Sequence, residues 1–444
     1  MNIFGVELRR CAALGAALIA LLIGVGALYV APGRWSSGWM ALAMAMREYL
    51  LLLWPLALAA GAWQGRREHR AKVGELFATT ARPRAQRMLP VLGAMAFTLG
   101  LAYLLVTVAG IAWIITTAQH RPLLNFLVVT GVGALSLVAA AWLGLGIGRM
   151  LPALVTAPAL GVAGVLIVFF SAIRFPDWLA AATSPVHGST PFSDYQTIDN
   201  RVSGALAITM TALALTGLLL FVAGGWRGRT AALLPAVLGV TTAIAVVPSD
   251  RDVLNWPVDP VARELVCTDD APKVCVSRIH ANVLDTLTPL AREGLAALAK
   301  LPDAPTAVHE DTTMYVSGEV RQVPDGVVTI EIRIDERGGL AHPAAVVPGI
   351  ADRLGVGYDG NCRQGDEAVE RAAAYWLMGR EPRSEVGLVP GLVSEDPELN
   401  TEALTLWQGL RELPDDEALA RVAAVRDALR ACTEVTGLLS RSAR

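Results

Sequence analysis

The chain has 444 residues, of which 54% are hydrophobic and 17% charged, and its formal net charge is −3. This average hides two different halves: residues 1–248 carry 17 Lys and Arg against 7 Asp and Glu (+10), and residues 249–444 carry 20 against 33 (−13). Long apolar stretches fill the first half, so the composition excludes an entirely water-soluble protein. It predicts a polytopic membrane region with an appended globular domain, which narrows the function to transport, signalling or membrane-bound catalysis.

Apolar stretches long enough for membrane helices follow one another through the first half. A helix crosses the hydrocarbon core with ~20 apolar residues; six uncharged runs reach that length, and a seventh contains the pair Arg47–Glu48. The predicted spans are residues 11–33, 35–65, 88–119, 122–148, 150–173, 202–226 and 230–249. One such run could be a buried core helix, but seven in succession favour an all-α membrane domain of about seven transmembrane helices in residues 1–249.

Basic residues are distributed unevenly among the loops between these runs. If the N-terminus is inside the cell, as Arg9 and Arg10 suggest, twelve Lys and Arg fall on the inner side and four on the outer side. The inner set is Arg9, Arg10, Arg66, Arg67, Arg70, Lys72, Arg82, Arg84, Arg87, Arg149, Arg227 and Arg229, and the outer set is Arg34, Arg121, Arg174 and Arg201. Cytoplasmic loops are enriched in Lys and Arg. We therefore expect a plasma-membrane protein with a cytoplasmic N-terminus and, after an odd number of spans, an extracytoplasmic domain at residues 250–444.

Four of the five cysteines lie in the soluble half, at Cys267, Cys275, Cys362 and Cys432. Thiols in an exported domain usually become disulfides. Pairing Cys267 with Cys275, and Cys362 with Cys432, is preferred because the first pair is close in sequence, although three pairings are possible. Reduced cysteines in a cytosolic domain are the alternative, and the Cys-x7-Cys spacing without paired histidines is weak evidence for zinc.

The one sizeable inner loop, residues 64–87, contains an apolar pattern among its basic residues. Val73, Leu76 and Phe77 would share one side of a short helix, and Pro83 would end it. A helix of this kind at the inner interface can dock a cytoplasmic partner or bind anionic lipid headgroups. A solvated positive-inside loop is the alternative, which explains the charges but not the apolar residues.

The same loop resembles that of a known family. After a basic stretch come Gly74, Glu75, Leu76 and Phe77, followed by Thr79, Thr80, Arg82, Pro83 and Arg84. This order is similar to the loop of type-2 ATP-binding-cassette (ABC-2-like) transporter permeases, and the resemblance covers about residues 1–226. In that family the Glu-Leu helix rests on the ATPase subunit. The resemblance therefore implies that the coupling residues are Val73, Gly74, Glu75, Leu76, Phe77 and Arg82.

The resemblance also implies partners. The sequence has no Gly-x4-Gly-Lys-Ser/Thr phosphate loop, so ATP and Mg²⁺ are expected on a separate ATPase chain and no cofactor on this one. Two permease chains, identical or different, would line one path through the lipid bilayer, and no nucleic-acid partner is expected. The chain departs from the family by its seventh span and its exported domain, an arrangement that resembles an actinobacterial variety of these permeases.

Three polar residues inside the predicted spans are candidates for a translocation path: Arg47, Glu48 and Asn125. Intramembrane charges are costly and usually face protein or water, so Arg47 and Glu48 could line a path or bind a substrate headgroup. Alternatively the helix enters obliquely and both lie near the outer interface, with Arg47 reaching towards water. Asn125 is better explained as a contact between helices, and the Gly-rich run 131–148 predicts close helix packing.

Residues 250–444 alternate strand-like and helix-like stretches and predict a soluble α+β domain. Strands are expected at residues 273–276, 306–310 and 326–334, and helices at 281–301, 366–378, 400–410 and 417–432. His309 and His342 are tempting as metal ligands, but the paired histidines of His-Glu-x-x-His are absent. We assign no catalytic residue and no metal ligand, and we do not expect an enzyme.

The sequence leaves more than one function open. The first is the permease subunit of an ATP-driven exporter, whose exported domain caps the exit or engages a partner outside; amphipathic peptides, lipids or hydrophobic drugs are candidate substrates. The second is a non-transporting membrane sensor or anchor whose outer domain binds a ligand. A third, a membrane-bound hydrolase, lacks a recognisable catalytic motif. A co-purifying ATPase separates the first from the second.

Overall fold

The computed structural model describes residues 13–70, 84–186, 193–314, 319, 324–356, 365–383 and 397–440. It divides into two compact units. The helical unit comprises Met1–Thr116 and His120–Asp259, and the α+β unit comprises Thr117–Gln119 and Pro260–Arg444. The division falls after Asp259, whereas the sequence placed it after residue 249, because residues 250–259 bond to other segments of the helical unit.

The helical unit contains a long series of helices, and the longer ones are apolar. They are α1 (Ala13–Val30), α2 (Trp39–Glu48), α3 (Leu50–Gly65), α4 (Arg67–Arg70), α5 (Arg84–Ile114), α6 (Leu123–Met150), α7 (Thr156–Arg174), α8 (Asp177–Thr183), α9 (Asn200–Val222), α10 (Trp226–Ala231), α11 (Leu234–Val246) and α12 (Arg251–Asn255). Acidic N-caps begin two of them. Asp199 accepts a hydrogen bond from the Arg201 N–H ahead of α9, and Asp250 accepts one from the Asp252 N–H ahead of α12.

Five of these helical segments are long and apolar enough to cross a membrane: Ala13–Val30, Met88–Ile114, Leu123–Met150, Asn200–Val222 and Trp226–Val246. The pair α2 and α3 is bent by 46° and makes a sixth if it counts as one span. The sequence predicted seven. The difference lies in α7, whose apolar part Thr156–Ser171 is shorter than the others.

Helices α3 and α6 pack backbone to backbone. A Cβ added at Gly144 of α6 would lie 2.1 Å from a carbonyl oxygen of α3, and one added at Gly61 of α3 would lie 2.1 Å from a carbonyl oxygen of α6. Gly65 and Gly148 meet the opposite backbone in the same way. Small residues four apart let membrane helices approach this closely. The Gly-rich run therefore allows the close helix packing that its composition predicted, and the helices packed in this way are α3 and α6.

The α+β unit contains, among its described residues, a four-stranded sheet. Its strands are β1 (Leu265–Cys267), β2 (Lys273–Ser277), β3 (Ala307–Glu310) and β4 (Val327–Ile330), hydrogen-bonded in that order. β1 and β2 are antiparallel, whereas β2–β3 and β3–β4 are parallel. Because side chains alternate between the faces of a strand, Val274, Val276, Val308, Val328 and Ile330 lie together in the core of this unit.

Helices complete the core of the α+β unit. They are α13 (Pro260–Arg263), α14 (Leu284–Leu298), α15 (Val346–Ala351), α16 (Glu367–Met378), α17 (Pro397–Arg411) and α18 (Asp415–Arg430). Leu287, Ala291 and Leu295 recur at helical spacing on one buried face of α14. The Asp366 side chain caps the start of α16, and Gly379, with a φ of 66°, ends it in the left-handed conformation.

The predicted elements of this unit are largely present. The four predicted helices correspond to α14, α16, α17 and α18, and the strands at 273–276 and 306–310 correspond to β2 and β3. The strand predicted at 326–334 is confined to β4. β1 was not predicted, because three residues are too short for an alternating pattern to be recognised.

Cysteines stabilise the same unit. Cys267 and Cys275 lie opposite each other on β1 and β2 and form a disulfide, as predicted. Cys432 is also disulfide-bonded, and its predicted partner Cys362 lies outside the described residues.

Candidate functional site

The residues predicted to be functional fall into different parts of the molecule. The path candidates Arg47, Glu48 and Asn125 belong to the described part of the helical unit. The coupling residues Val73, Gly74, Glu75, Leu76, Phe77 and Arg82 lie outside the described residues. The helical unit is therefore where a polar site can be built from observed contacts.

Arg47 lies in the last turn of α2 and is completely buried, with a relative exposure of 0%. Its Nε–H donates a hydrogen bond to the Pro185 carbonyl oxygen at 3.0 Å. Both of its Nη groups are buried and have no hydrogen-bond partner in the described part of the chain. The 46° bend between α2 and α3 follows directly, so the guanidinium lies beside a break in the helix.

Glu48 does not pair with the adjacent Arg47. Both of its carboxylate oxygens accept hydrogen bonds from Arg34 Nη2, at 2.8 and 2.7 Å, and this pair is partly exposed. Glu48 thus fits the interpretation that the helix enters obliquely near an interface. Arg47 does not, because consecutive residues on a helix point ~100° apart and its side chain turns inward instead of reaching water.

Tyr103 lies on α5, which packs against α2: a Cβ added at Gly110 of α5 would lie 2.5 Å from the Leu42 side chain of α2. The Tyr103 hydroxyl is buried without a hydrogen-bond partner among the described residues. It touches α6, since a Cβ added at Gly133 would lie 2.2 Å from the hydroxyl oxygen. Thr130, one turn earlier on α6, has a second buried hydroxyl of this kind. We call Arg47 and Tyr103 the arginine cluster.

Asn125 is half-buried in the first turn of α6. No hydrogen bond or ion pair among the described residues joins it to Arg47 or Glu48. The hydrogen-bond partner of Arg47 is the Pro185 carbonyl oxygen, which lies 138 residues away in the sequence and could not be predicted from it.

One end of the helical unit is held together by polar contacts between loops. His120 Nε2 lies 2.8 Å from Asp259 Oδ2, and the Asn255 side-chain amide donates to Asp177 Oδ2 at 3.1 Å. The segments that follow α5, α7 and α11 therefore lie at the same end of this unit.

Aromatic rings place a further segment at that end. Trp35, which follows α1, packs edge-on against Trp113 near the end of α5, with ring centroids 6.0 Å apart, and against Tyr29 at 6.4 Å. Its Nε1–H donates to the Leu28 carbonyl oxygen at 2.8 Å. Indoles prefer a membrane–water interface. We call this the aromatic end, formed by the segments after α1, α5, α7 and α11.

Arginines connect the opposite ends of the helices. Arg66, directly after α3, donates to the Ala153 carbonyl oxygen at 3.1 Å. Arg149, near the end of α6, donates to the Phe221 carbonyl oxygen at the end of α9 and lies 3.9 Å from Met88 Sδ of α5. The segments after α3, α6 and α9 and the start of α5 thus meet. We call this the basic end, since it also includes Arg67, Arg70, Arg227 and Arg229.

The α+β unit contains a buried pair that the sequence did not predict. His280 Nδ1, in the 3-10 turn Arg278–Val283, lies 2.6 Å from Glu310 Oε1 at the end of β3. The other carboxylate oxygen of Glu310 accepts a hydrogen bond from the Ser277 N–H at 2.6 Å. Both side chains are buried, so the pair connects β2, β3 and the turn between β2 and α14.

The histidines considered from the sequence lie elsewhere. His309 is half-buried in β3, and burial lowers its pKa. His342 lines a small pocket with Ile330 and Arg333. Within the part of the chain that the structure describes, no group of three or more His, Cys, Asp or Glu side chains is arranged to hold a metal ion.

An acidic pair lies where Asp352 meets α16. Burial raises the pKa of the Glu370 carboxyl to about 7, Arg353 opposes this shift, and Asp352 adds to it. Burial also raises the pKa of Asp352. These carboxyls therefore make the α+β unit sensitive to pH.

Comparison with protein-family models, curated proteins and solved structures finds no match to this chain. The polar groups of the two units differ in what they can do. The His280–Glu310 pair is enclosed and fixes a turn against the sheet. Arg47, by contrast, has a buried cationic fork with donors that no described group uses, which is suited to holding an anion.

Proposed function

We propose that this chain is the membrane-spanning permease subunit of an ATP-driven exporter, powered by a separate ATPase that docks on residues 64–87. The observation that carries the proposal is the position of that loop. It leaves the basic end of the helical unit directly after α3, and it contains the sequence that resembles an ABC-2-like coupling helix. The α+β unit would cap the exit of the path or engage a partner outside the cell.

The contacts at the two ends of the helical unit support seven crossings of the bilayer. α6 starts at the aromatic end and finishes at the basic end, while α8 lies at the aromatic end again through its Asp177 bond. α7 has to make the return, although its apolar part is short. The bent pair α2–α3 and the pair α10–α11 each account for one further crossing.

The charges of the two ends support the orientation. Lys and Arg are enriched on the cytoplasmic side of membrane proteins, which assigns the basic end to the cytoplasm. The segment after α11 lies at the aromatic end and leads into the α+β unit, so that unit would be extracytoplasmic. The Cys267–Cys275 disulfide agrees with an oxidising compartment.

The packing of α3 suggests how a docked ATPase would act on the path. α3 ends at Gly65, where the loop begins, and the other end of α3 lies at the bend beside Arg47. Its glycine contacts with α6 make the two helices move together. A displacement of the loop would therefore be transmitted ~24 Å along α3 to the break next to the arginine cluster.

Affinity purification of the full chain from its native membranes tests the ATPase partner. We expect a second polypeptide with a phosphate-binding loop to co-purify and to hydrolyse ATP. A Glu75→Ala, Leu76→Ala double variant should lose this partner while still inserting into the membrane. An Arg227→Gln, Arg229→Gln variant, which removes charge from the same end, is the matched control and should keep it. Purification of the wild type without an ATPase would refute the proposal.

The orientation is tested separately with an impermeant thiol reagent. After mild reduction of intact cells, Cys267 or Cys275 should be labelled from outside. Labelling that requires lysis of the cells would place the α+β unit in the cytoplasm and would contradict the odd number of crossings.

The alternative is a non-transporting sensor or anchor. The observation in its favour is that the α+β unit has a large apolar core of its own, as an independent ligand-binding domain would. This alternative predicts an extracytoplasmic ligand and no associated ATPase, so the purification experiment distinguishes the two functions.

A further inference from the structure

The guanidinium of Arg47 is used for structure only in part. Its Nε–H holds the Pro185 carbonyl oxygen, which connects α2 to the segment after α8. The two Nη groups, which form the planar fork of the side chain, donate to nothing in the described part of the chain, although both are buried. A purely structural role therefore explains one nitrogen and leaves two unexplained.

In the part of the chain that the structure describes, no acidic side chain forms an ion pair with this charge. The adjacent Glu48 is bonded through both oxygens to Arg34. A buried cation without a paired anion is among the costliest groups in a membrane protein, and such residues are characteristically functional.

The geometry of the cluster suits one kind of ligand group. A guanidinium fork pairs bidentately with the two oxygens of a carboxylate or a phosphate. The Tyr103 hydroxyl, on the neighbouring helix α5, is a second buried donor without a partner among the described residues. In the site inferred below, Arg47 holds the oxyanion and Tyr103 supplies a further hydrogen bond.

α2, the helix that carries Arg47, packs against apolar groups of both neighbouring helices. Its Trp39 ring lies 5.1 Å from that of Phe126 of α6, measured between centroids, and its Leu42 side chain faces Gly110 of α5. An anion that enters such a region from the membrane is most readily the headgroup of a molecule whose remainder is apolar. The break between α2 and α3 is the joint at which α2 could move to admit it.

We infer that Arg47 and Tyr103 form a binding site for the oxyanion of an anionic amphiphile, a molecule with a carboxylate or phosphate group on an apolar chain. This inference rests on the proposed function in that it names the substrate class of the same exporter. Binding itself needs neither ATP nor the ATPase, so it can be measured on this chain alone.

The test uses the full chain in nanodiscs of phosphatidylcholine, titrated with radiolabelled oleate and lysophosphatidate. Oleyl alcohol, with the same chain and no charge, is the control for apolar binding, and inorganic phosphate is the control for a free anion. We expect saturable binding of oleate or lysophosphatidate and none of the two controls. Equally tight binding of oleyl alcohol, or competition by inorganic phosphate at similar concentrations, would overturn the assignment to an anionic amphiphile.

Variants locate the site. Arg47→Gln should weaken binding about tenfold or more, and Tyr103→Phe by about threefold, as expected for the loss of charge-assisted and neutral hydrogen bonds. Arg201→Gln removes an exposed arginine that is paired with Asp199 and should bind like the wild type. Undiminished binding in Arg47→Gln would overturn the inference, whether or not an ATPase co-purifies.

Thermal unfolding without ligand separates binding from structure. If Arg47 is kept for a ligand, Arg47→Gln should unfold at the same temperature as the wild type or higher, because it removes a buried unpaired charge. A clearly lower unfolding temperature would instead assign Arg47 to holding Pro185 and would overturn the inference.

Discussion

Among the described residues, each unit has one arginine that is at most 2% exposed, and the two are used differently. Arg426 of the α+β unit is 2% exposed; its Nη1 donates to the Pro302 carbonyl oxygen at 2.6 Å and its Nη2 to the Asp303 carbonyl oxygen at 2.9 Å. Arg47 of the helical unit is 0% exposed and bonds through Nε alone. Arg426 uses its fork to fix a loop, whereas the fork of Arg47 remains available. Burial of an arginine therefore does not reveal its role, and the use of its Nη groups does.

The two units also differ in what holds them together. In the helical unit, glycines bring the backbones of α3 and α6 into contact. In the α+β unit, a continuous cluster of Val, Leu, Ile and Ala side chains covers both the sheet and the helices. Helices in a membrane gain little from burying apolar side chains, because lipid is equally apolar, so close approach takes the place of the hydrophobic effect.

The largest expected effect on stability is that of replacing Arg426, whose two Nη groups donate hydrogen bonds to the loop at Pro302 and Asp303. Arg426→Ala should lower the free energy of unfolding of the α+β unit by about 3 kcal/mol, because two charge-assisted hydrogen bonds are lost and the Pro302 carbonyl loses its donor, while the Asp303 carbonyl keeps a hydrogen bond from Arg430. Hydrogen exchange of the full chain in rising urea, read on peptides of α18, measures it. Arg337→Ala, at an exposed turn, is the control and should change little.

A glycine substitution should have the next largest effect. Gly144→Ala places a Cβ 2.1 Å from a carbonyl oxygen of α3, so the two helices must separate and the helical unit should lose about 2 kcal/mol. Gly131→Ala on the same helix meets nothing within 4 Å and should be neutral or slightly stabilising. Thermal unfolding in detergent compares the two; equal stability of both variants would show that the backbone contact is unimportant.

Replacing Arg47 is expected to change the stability in the opposite direction from replacing Arg426. Arg47→Met should leave the helical unit as stable as before or stabilise it by about 1 kcal/mol, since an apolar residue replaces a buried unpaired charge. Arg149→Met is the contrasting variant. Arg149 donates to the Phe221 carbonyl oxygen, so its loss should be destabilising. A destabilised Arg47→Met protein would show that Arg47, like Arg426, has a structural role.

The smallest effect concerns pH. Burial raises the pKa of Glu370 to about 7, above the ~4.3 of an unfolded glutamate. The folded α+β unit therefore binds the extra proton, and this contribution to stability is present at low pH and lost as the pH rises through about 7. Glu370→Gln should reduce this loss of stability with rising pH. It should stabilise the unit near pH 8 by less than about 1 kcal/mol, after allowance for solvent screening.

Unfolding of the full chain at about pH 5 and about pH 8 measures this difference. Glu331→Gln is the control, because Glu331 is exposed, is paired with Arg333 and is not among the charges that shift the pKa of Glu370. An unchanged pH dependence in Glu370→Gln would show that other groups titrate in its place.

Much of the fold could be predicted from local pattern. Hydropathy and length give the helices of the first half, and helical spacing gives α14, α16 and α18, because each pattern reflects burial of one face. The short strand β1 and the bend after Glu48 could not be predicted this way. β1 has three residues and is defined by its pairing with β2.

Only part of the candidate site could be predicted. A charge in an apolar run is costly, which singles out Arg47 but equally its neighbour Glu48, and Glu48 is bonded to Arg34. Tyr103 and the pair of His280 with Glu310 gave no signal, since their partners lie far away in the sequence.

The sequence by itself determined that apolar helices are followed by an acidic α+β unit, and that Cys267 lies close enough along the chain to pair with Cys275. These properties depend on composition and on short spacings, which a linear chain already contains. Only the tertiary structure decided that Arg47 turns inward to the Pro185 carbonyl oxygen while Glu48 turns outward to Arg34. Which charge is left without a counter-charge depends on the direction each side chain takes from a packed helix, and that direction is fixed by contacts between segments distant in the sequence.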